Sequence, residues 1–173
     1  MLAKVTAGDE KAFEKLMNSY LKTIYNFILM HVRSDEDAKD ILQETMLGIW
    51  RSLSGYDKKS SFRTWILAIT RRKIADYYRR SYRNMDNCKE EISECSNELF
   101  SYGAIEQLAD IVTVQKAVNS LSDEEKELVY LVFNAQLTYK EITELTGLPE
   151  GTIKSKMFGI RRKLKNMLKE GGY

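Results

Sequence analysis

Residues 137–158 read LTYKEITELTGLPEGTIKSKMF, and this stretch decides the fold. Ile142 and Leu145 recur at helical spacing in its first part. Gly147 suits the left-handed residue that ends a helix, and Pro149 suits the start of the next helix, where its missing amide costs nothing. The stretch therefore predicts two helices joined by a tight turn, which is the pattern of a helix-turn-helix motif.

The second helix of this motif has two different sides. Ile153, Met157 and Ile160 alternate by four and three residues and predict the buried side. A helix fits the major groove of DNA, where polar and cationic side chains near its start can read base edges. The opposite side carries side chains of this kind, namely Lys154, Ser155, Phe158, Arg161 and Arg162. A plain helical hairpin with a basic last helix is the alternative.

Further helices are predicted on the N-terminal side of the motif. Ser122 and Glu125 form a capping box, which predicts a helix that starts at this point. Hydrophobic periodicity predicts three more helices, at about residues 10–32, 34–53 and 62–83. His31 falls on or near the apolar side of the first of these, which favours a structural role over a catalytic one. The scarcity of breakers, with a single Pro and nine Gly, also favours helices.

Charge is unevenly distributed along the chain. Residues 58–83 carry a net charge of +8, residues 84–111 carry −6, and residues 149–173 carry +5. Two basic blocks on predicted helices indicate binding to a polyanion. The acidic stretch is rich in Ser, Asn and Glu and indicates a linker with little packed structure. We therefore expect an all-α chain of two small helical domains, 1–83 and 104–173, joined by a flexible acidic linker, 84–103.

The second predicted helix has a face suited to a partner. Its inward stripe contains Ala38, Thr45 and Ile49, among others. A second stripe at helical spacing contains Asp37, Asp40, Glu44, Leu47 and Arg51. A solvated surface accounts for the acids, but Leu47 and the nearby Trp50 indicate that another molecule covers this face.

The third predicted helix combines cations with aromatic rings. Arg72, Asp76, Arg79 and Arg83 form a mostly basic stripe. Single-stranded nucleic acid is bound by cations that neutralise phosphates and by flat rings that stack on bases, at roughly 1–3 kcal/mol for each base. For Trp65, packing in the protein core is an equally good interpretation.

Several classes of protein are excluded or disfavoured. No spacing of acids with His, Cys or Ser offers a nucleophile, and no phosphate-binding glycine loop occurs, so we expect no enzyme activity, no cofactor and no small-molecule substrate. Cys88 and Cys95, with a single histidine, are too few ligands for structural zinc, and we expect free thiols. Neither a secretory signal nor a run long enough to span a bilayer is present, which favours the cytoplasm.

Three motif blocks in order resemble an extracytoplasmic-function (ECF) sigma factor. They are DAKDILQET at residues 37–45 with Trp50, FRTWILAI at 62–69 with Asp76 and Arg79-Arg80, and Leu121 followed by LTYKEI at 137–142 and GTIKSK at 151–156. The resemblance runs from about residue 12 to residue 168. It departs from the usual pattern at Arg72, where many relatives have asparagine, and at Gly159, where arginine is frequent.

The resemblance implies a role for each surface. Core RNA polymerase would be bound by the second helix, through Asp37, Asp40, Ile41, Gln43, Glu44, Leu47 and Trp50. The minus-ten promoter element would be opened and bound by Lys58, Lys59, Ser60, Ser61, Phe62, Arg63, Trp65, Arg71, Arg72, Asp76, Arg79 and Arg80. The minus-thirty-five element would be read as duplex by Tyr139, Thr152, Lys154, Ser155, Lys156, Phe158, Arg161 and Arg162.

Three partners are thus expected: core RNA polymerase, promoter DNA and an anti-sigma factor. The expected location is the cytoplasm at the nucleoid, with the membrane as a second location if the anti-sigma factor is anchored there. The acidic linker would thread toward the active site and RNA exit path of the polymerase. An autonomous helix-turn-helix regulator, whose N-terminal half senses a ligand or dimerises, is the alternative.

Overall fold

The computed structural model describes residues 9–85 and 116–170. Every regular element within these two ranges is helical, which confirms the predicted all-α class. The chain divides into two compact units, one of which contains residues 9–85 and the other residues 116–170. Most of the predicted linker, with Cys88 and Cys95, lies outside the described residues.

Within residues 9–85, the N-terminal unit contains three α-helices. They are α1 (Glu10–Leu29), α2 (Asp35–Ser52), which is followed by a 3-10 turn (Leu53–Gly55), and α3 (Phe62–Met85). The side chains of Asp9 and Ser34 cap α1 and α2 by accepting amide hydrogen bonds, as short polar side chains do at helix starts. Helix α1 ends three residues earlier than predicted because the amides of His31 and Val32 both donate to the carbonyl of Ile28.

The N-terminal core lies where the three helices meet. Ile24 and Phe27 of α1, Ile49 of α2 and Ile66 of α3 are all fully buried. Full burial of such a side chain is worth about 1.5–3 kcal/mol. The loop between α2 and α3 is therefore held at both ends by packed helices.

The C-terminal unit contains the predicted helix-turn-helix. From Asp123 onward, its helices are α4 (Asp123–Val129), which continues as a π-helix (Tyr130–Asn134), α5 (Tyr139–Thr146) and α6 (Glu150–Glu170). Capping boxes start α4 and α5, the first of them at the predicted Ser122. Gly147 ends α5 with φ of 77°, and the Pro149 carbonyl accepts from the amides of Thr152 and Ile153 at the start of α6. The turn predicted from Gly147 and Pro149 is therefore confirmed.

The π-helix was not predicted from the sequence. The amide of Ala135 donates to the carbonyl of Tyr130 and the amide of Leu137 to that of Leu131, both at 2.9 Å. Gln136 then takes φ of 52°, an unusual value for a residue with a side chain. The widened turn leaves Tyr130 buried, which raises the pKa of its phenol, and leaves Phe133 on the surface.

Neither a membrane-spanning helix nor a cluster of metal-binding side chains occurs among the described residues. No helix within 9–85 or 116–170 is long and apolar enough to cross a membrane. The same residues contain no group of three or more His, Cys, Asp or Glu side chains placed to hold a metal ion.

Candidate nucleic-acid interface

The exposed face of α2 is both acidic and apolar. Asp40, Gln43 and Leu47 are exposed at intervals of three and four residues, and 48% of Leu47 is accessible. These three side chains therefore lie together on one side of the helix. Ile41, which was predicted to join them, is only 2% exposed. The buried stripe of α2 runs through Ala38, Ile41 and Thr45, so the assignment of Ile41 to the surface is corrected.

Two acids of the predicted stripe contact α3. The Tyr77 hydroxyl donates a 2.9 Å hydrogen bond to the Asp37 carboxylate. The Glu44 carboxylate lies 2.7 Å from Arg80 and 3.5 Å from Lys73. Hydrogen bonding from the Arg80 guanidinium lowers the pKa of Glu44, which is therefore held ionised. Asp37 and Glu44 thus join α2 to α3, while Asp40 remains open to a partner.

Trp50 lies near the C-terminal end of α2. Its ring is half-buried and meets Phe13 of α1 edge to face, with 4.8 Å between the centroids. Aromatic pairs favour this arrangement. Trp50 therefore helps to hold α1 against α2, and part of its surface stays exposed beside Leu47.

The loop before α3 is shaped by local hydrogen bonds. Lys58 is exposed and takes φ of 60°, and the amide of Lys59 donates to the Asp57 carboxylate. The Tyr56 hydroxyl donates to the carbonyl of Ser60 at 2.7 Å. Ser61 accepts from the amide of Thr64 and so caps α3. The loop therefore presents the two lysines on a fixed turn at the start of the basic helix.

An aromatic cluster lies under this loop. The ring of Phe62 lies 5.4 Å from Tyr20, 5.5 Å from Tyr56 and 5.6 Å from Trp65. Tyr56 and Trp65 are 5.0 Å apart. Packing within the protein, which was one of two interpretations of Trp65, is thus observed. Because Phe62 and Trp65 remain partly exposed, base stacking at the edge of the cluster is sterically open.

The cations of α3 divide between two sides of the helix. Arg72, Arg79 and Arg83 are exposed along one stripe, and Arg79 pairs with Asp76 at 2.8 Å. Arg80 and Lys73 lie on the flank that faces α2. Arg63 and Arg71 are half-buried. The structure therefore brings together only part of the predicted minus-ten set, as a narrow cationic stripe.

Helix α6 presents an exposed cationic surface. Lys154, Arg161 and Arg162 are exposed, and Phe158 between them is 69% exposed. Lys154 pairs with Glu150 one turn earlier at 2.8 Å, which raises the pKa of the lysine. Ser155 is exposed and donates to the carbonyl of Thr152. An exposed aromatic ring among exposed cations, on the second helix of a helix-turn-helix, suits contact with a DNA groove.

Two other cations of α6 face α4. Lys156 lies 2.7 Å from Glu124, and Lys163 lies 2.5 Å from Glu125. The bond from Lys163 lowers the pKa of Glu125, which also takes part in the capping box. Lys156 was predicted to contact DNA, but the structure places it on the flank away from Lys154. Thr152, near the start of α6, and Tyr139, the first residue of α5, are both half-buried.

One exposed cation was missed by the sequence analysis. Lys165 is exposed and follows Lys154, Phe158 and Arg161 at intervals of four, three and four residues. Residues at this spacing lie on one face of a helix. Extension of the periodicity beyond Arg162 would have identified it.

Two family models match the chain, one in each unit. The model of Sigma-70 region 2 matches residues 16–84, and the model of Sigma-70, region 4 matches residues 117–166. The ECF RNA polymerase sigma-E factor of Haemophilus influenzae is 25% identical, over 97% of this chain and 93% of its own length. The ECF RNA polymerase sigma factor SigM of Bacillus subtilis is also 25% identical, over 91% of this chain and 96% of its own length.

Two solved structures have a similar fold. The sigma factor RpoE of Bartonella quintana, crystallised with the anti-sigma factor NepR, has a TM-score of 0.69 at 24% identity and covers 92% of this chain and 98% of its own. CnrH, in complex with the cytosolic domain of CnrY, has a TM-score of 0.63 at 19% identity. These two structures support the fold, and the two family models together match more than half of the chain. The chain therefore belongs to the ECF sigma factors of RNA polymerase.

Proposed function

We propose that this chain binds core RNA polymerase and directs it to promoters that contain a minus-ten and a minus-thirty-five element. The observation that carries the proposal is the exposed cationic surface of α6 on a helix-turn-helix, in a chain whose other unit carries a second cationic stripe on α3. Two separate DNA-binding surfaces in one chain suit two separate promoter elements.

The minus-thirty-five element would be bound as duplex by α6. Lys154, Ser155 and Phe158 lie near the start of the helix, where side chains reach base edges in the major groove. Arg161, Arg162 and Lys165 lie further along and would neutralise phosphates. Each neutralised phosphate releases counterions, so the affinity for DNA should fall steeply with salt.

The minus-ten element would be bound and opened at α3. Lys58 and Lys59 precede the helix on a fixed turn, and Arg72, Arg79 and Arg83 follow along it. The edge of the aromatic cluster at Phe62 and Trp65 would accept an unstacked base. In this arrangement the cations bind the phosphate backbone of the opened strand. An aromatic ring stacks on a base that would otherwise stack within the duplex.

Core polymerase would dock on α2. Asp40, Gln43 and Leu47 form an exposed patch that combines a carboxylate with an apolar side chain, which fits a partner that presents a basic and apolar surface. Asp37 and Glu44 lie beside this patch and would complete it. Polymerase then holds both DNA-binding units on one enzyme, so that the two promoter contacts reinforce each other.

We propose that the chain performs no chemistry of its own. Its contribution is binding free energy, which places the polymerase and favours local melting of the duplex. Such a factor works in the cytoplasm, where polymerase and the nucleoid are. Since a solved relative is held by an anti-sigma factor, NepR, we also propose that a protein of that kind restrains this chain.

A binding experiment separates this function from an autonomous helix-turn-helix regulator. Labelled promoter fragments are titrated with the chain alone, with core polymerase alone and with both. The proposal expects specific retardation only when both are present. Tight and specific retardation by the chain alone would favour the regulator and contradict the proposal.

A further inference from the structure

One carboxylate links the proposed polymerase surface to the proposed DNA surface. Glu44 lies on α2 beside the docking patch, and its two carboxylate oxygens face two different cations of α3. Nη1 of Arg80 lies 2.7 Å from one oxygen and Nζ of Lys73 lies 3.5 Å from the other. The side chain of Arg80 is 55% exposed, so it can move into solvent without unpacking the core.

Arg80 is placed within reach of the cationic stripe. It precedes Arg83 by three residues, and residues at this spacing are neighbours on a helix surface. Arg83 belongs to the exposed stripe with Arg72 and Arg79. While Arg80 is bonded to Glu44, its charge is neutralised at short range and its guanidinium is turned toward α2.

Lys73 is less free to move than Arg80. Only 29% of its side chain is exposed. A methyl group added at Gly48 of α2 would lie 3.5 Å from Cε of Lys73, so the stem of the lysine lies against α2. If another cation pairs with Glu44, Arg80 is therefore the side chain that is released, because Lys73 is held against α2.

We propose that Glu44 withholds Arg80 from DNA in the free chain, and that a basic side chain of core polymerase displaces Arg80 from Glu44 and so adds a phosphate contact. This inference rests on the proposed docking of polymerase at α2. It makes Glu44 and Arg80 positioning residues that couple the two binding events. Release of Arg80 from Glu44 costs little, because their ion pair is partly exposed to solvent.

The test needs no polymerase in its first arm. The full chain is titrated onto a fluorescein-labelled mixed-sequence 20-mer duplex at several salt concentrations. Glu44→Gln should tighten binding by about fivefold at 0.1 M salt and steepen the slope of log K against log salt by about 0.9, the value for one added phosphate contact. Glu36→Gln removes the same charge from an exposed position of α2 that does not touch Arg80 and should leave the slope unchanged.

A double variant assigns the effect to Arg80. Glu44→Gln with Arg80→Gln should return the slope to that of the wild type. Equal slopes for Glu44→Gln and Glu36→Gln, or a double variant that keeps the gain, would overturn the proposal. If Glu44→Gln does not fold, as judged by thermal unfolding, Glu44→Asp lengthens the same ion pair and should shift the slope in the same direction by a smaller amount.

The second arm adds core polymerase. Wild type and Glu44→Gln should then show the same slope, because polymerase has already released Arg80 in the wild type. A persistent difference of about 0.9 would show that no exchange occurs. If polymerase does not bind the wild type at all, the proposed function fails, whereas the first arm still decides whether Glu44 withholds Arg80.

Discussion

The ammonium of Lys156 lies 2.7 Å from the carboxylate of Glu124, across the contact between α6 and α4. Lys154, two residues earlier, pairs with Glu150 of its own helix and lies on the opposite, exposed flank. Helix α6 therefore carries an exposed cation on one flank and a cation paired with α4 on the other. Substitution of each lysine tests whether their roles differ.

Lys154→Gln should weaken the complex of holoenzyme with promoter DNA by about 1–3 kcal/mol, because a contact to a base edge is lost. Lys156→Gln is the matched change. It should leave the affinity for DNA unchanged and lower the free energy of unfolding by less than about 1 kcal/mol, as expected for an exposed ion pair. Fluorescence anisotropy measures both affinities. Equal losses would show that the two lysines do not differ in role.

Asp40→Lys should weaken binding to core polymerase by about tenfold or more, because it reverses the charge on the exposed docking patch of α2. Its folding should be unaffected, since Asp40 is exposed. Glu14→Lys makes the same charge change on the exposed side of α1 and serves as the control. Surface plasmon resonance with immobilised core enzyme measures both affinities. Binding of the two variants with equal strength would show that the acidic face of α2 is only a solvated surface.

Two glycines of the C-terminal unit should respond in opposite directions to alanine. Gly147 has φ of 77°, so Gly147→Ala should destabilise this unit by about 1–2 kcal/mol. Gly159 lies inside α6 with open space around it, so Gly159→Ala should stabilise the unit by about 0.5–1 kcal/mol. Hydrogen exchange of the α6 amides measures both changes. A stabilising Gly147→Ala would contradict the turn geometry described above.

Gln136 occupies a backbone conformation that suits glycine. Gln136→Gly should raise the free energy of unfolding of the C-terminal unit by about 1 kcal/mol, because it removes the steric cost of φ at 52°. Gln136→Ala is the control, since it removes the same side chain and retains the strain. Thermal unfolding followed by far-UV circular dichroism compares the two. Equal melting temperatures for Gly and Ala would rule out backbone strain at this position.

The Glu44 ion pair should make the N-terminal unit sensitive to acid. Hydrogen bonding from Arg80 lowers the pKa of Glu44 in the folded chain below its ordinary value of about 4.3. The unfolded chain therefore binds a proton first, and the stabilisation is present above about pH 4.3 and disappears as the pH falls through the lowered pKa. Because the pair is partly exposed, the effect should be below about 1 kcal/mol.

Both tryptophans lie in the N-terminal unit, so urea unfolding followed by tryptophan fluorescence measures this effect. The wild type should be more stable than Glu44→Gln at pH 7, and the difference should shrink as the pH falls below about 4.3. A stability difference that does not change with pH would mean that the charge of Glu44 does not contribute to the free energy of unfolding.

The sequence predicted the helices because their caps and breakers are local. The capping box at Ser122 and the turn at Gly147 depend only on neighbouring residues, and both are found as expected. The π-helix has no side-chain cap that would mark it in the sequence, and its first residue, Tyr130, is buried in the packed unit. Local pattern therefore determined where the helices lie, and packing determined their irregularities.

The site was predicted less completely than the fold. The resemblance assigned Ile41 to the polymerase-binding surface, and only its burial in the structure shows that it belongs to the core. Arg79 and Arg80 look alike as neighbouring arginines. They differ in role because Arg80 pairs with Glu44, which is 36 residues away from it in the chain. Contacts between helices, which periodicity does not encode, assign each cation to its surface.

Run-off transcription with purified core polymerase on fragments of the source genome tests the central claim most directly. The account predicts that the enzyme together with this chain produces transcripts from a small set of defined start sites, and that the enzyme alone does not. Transcripts of the same pattern and yield with and without the chain would contradict it.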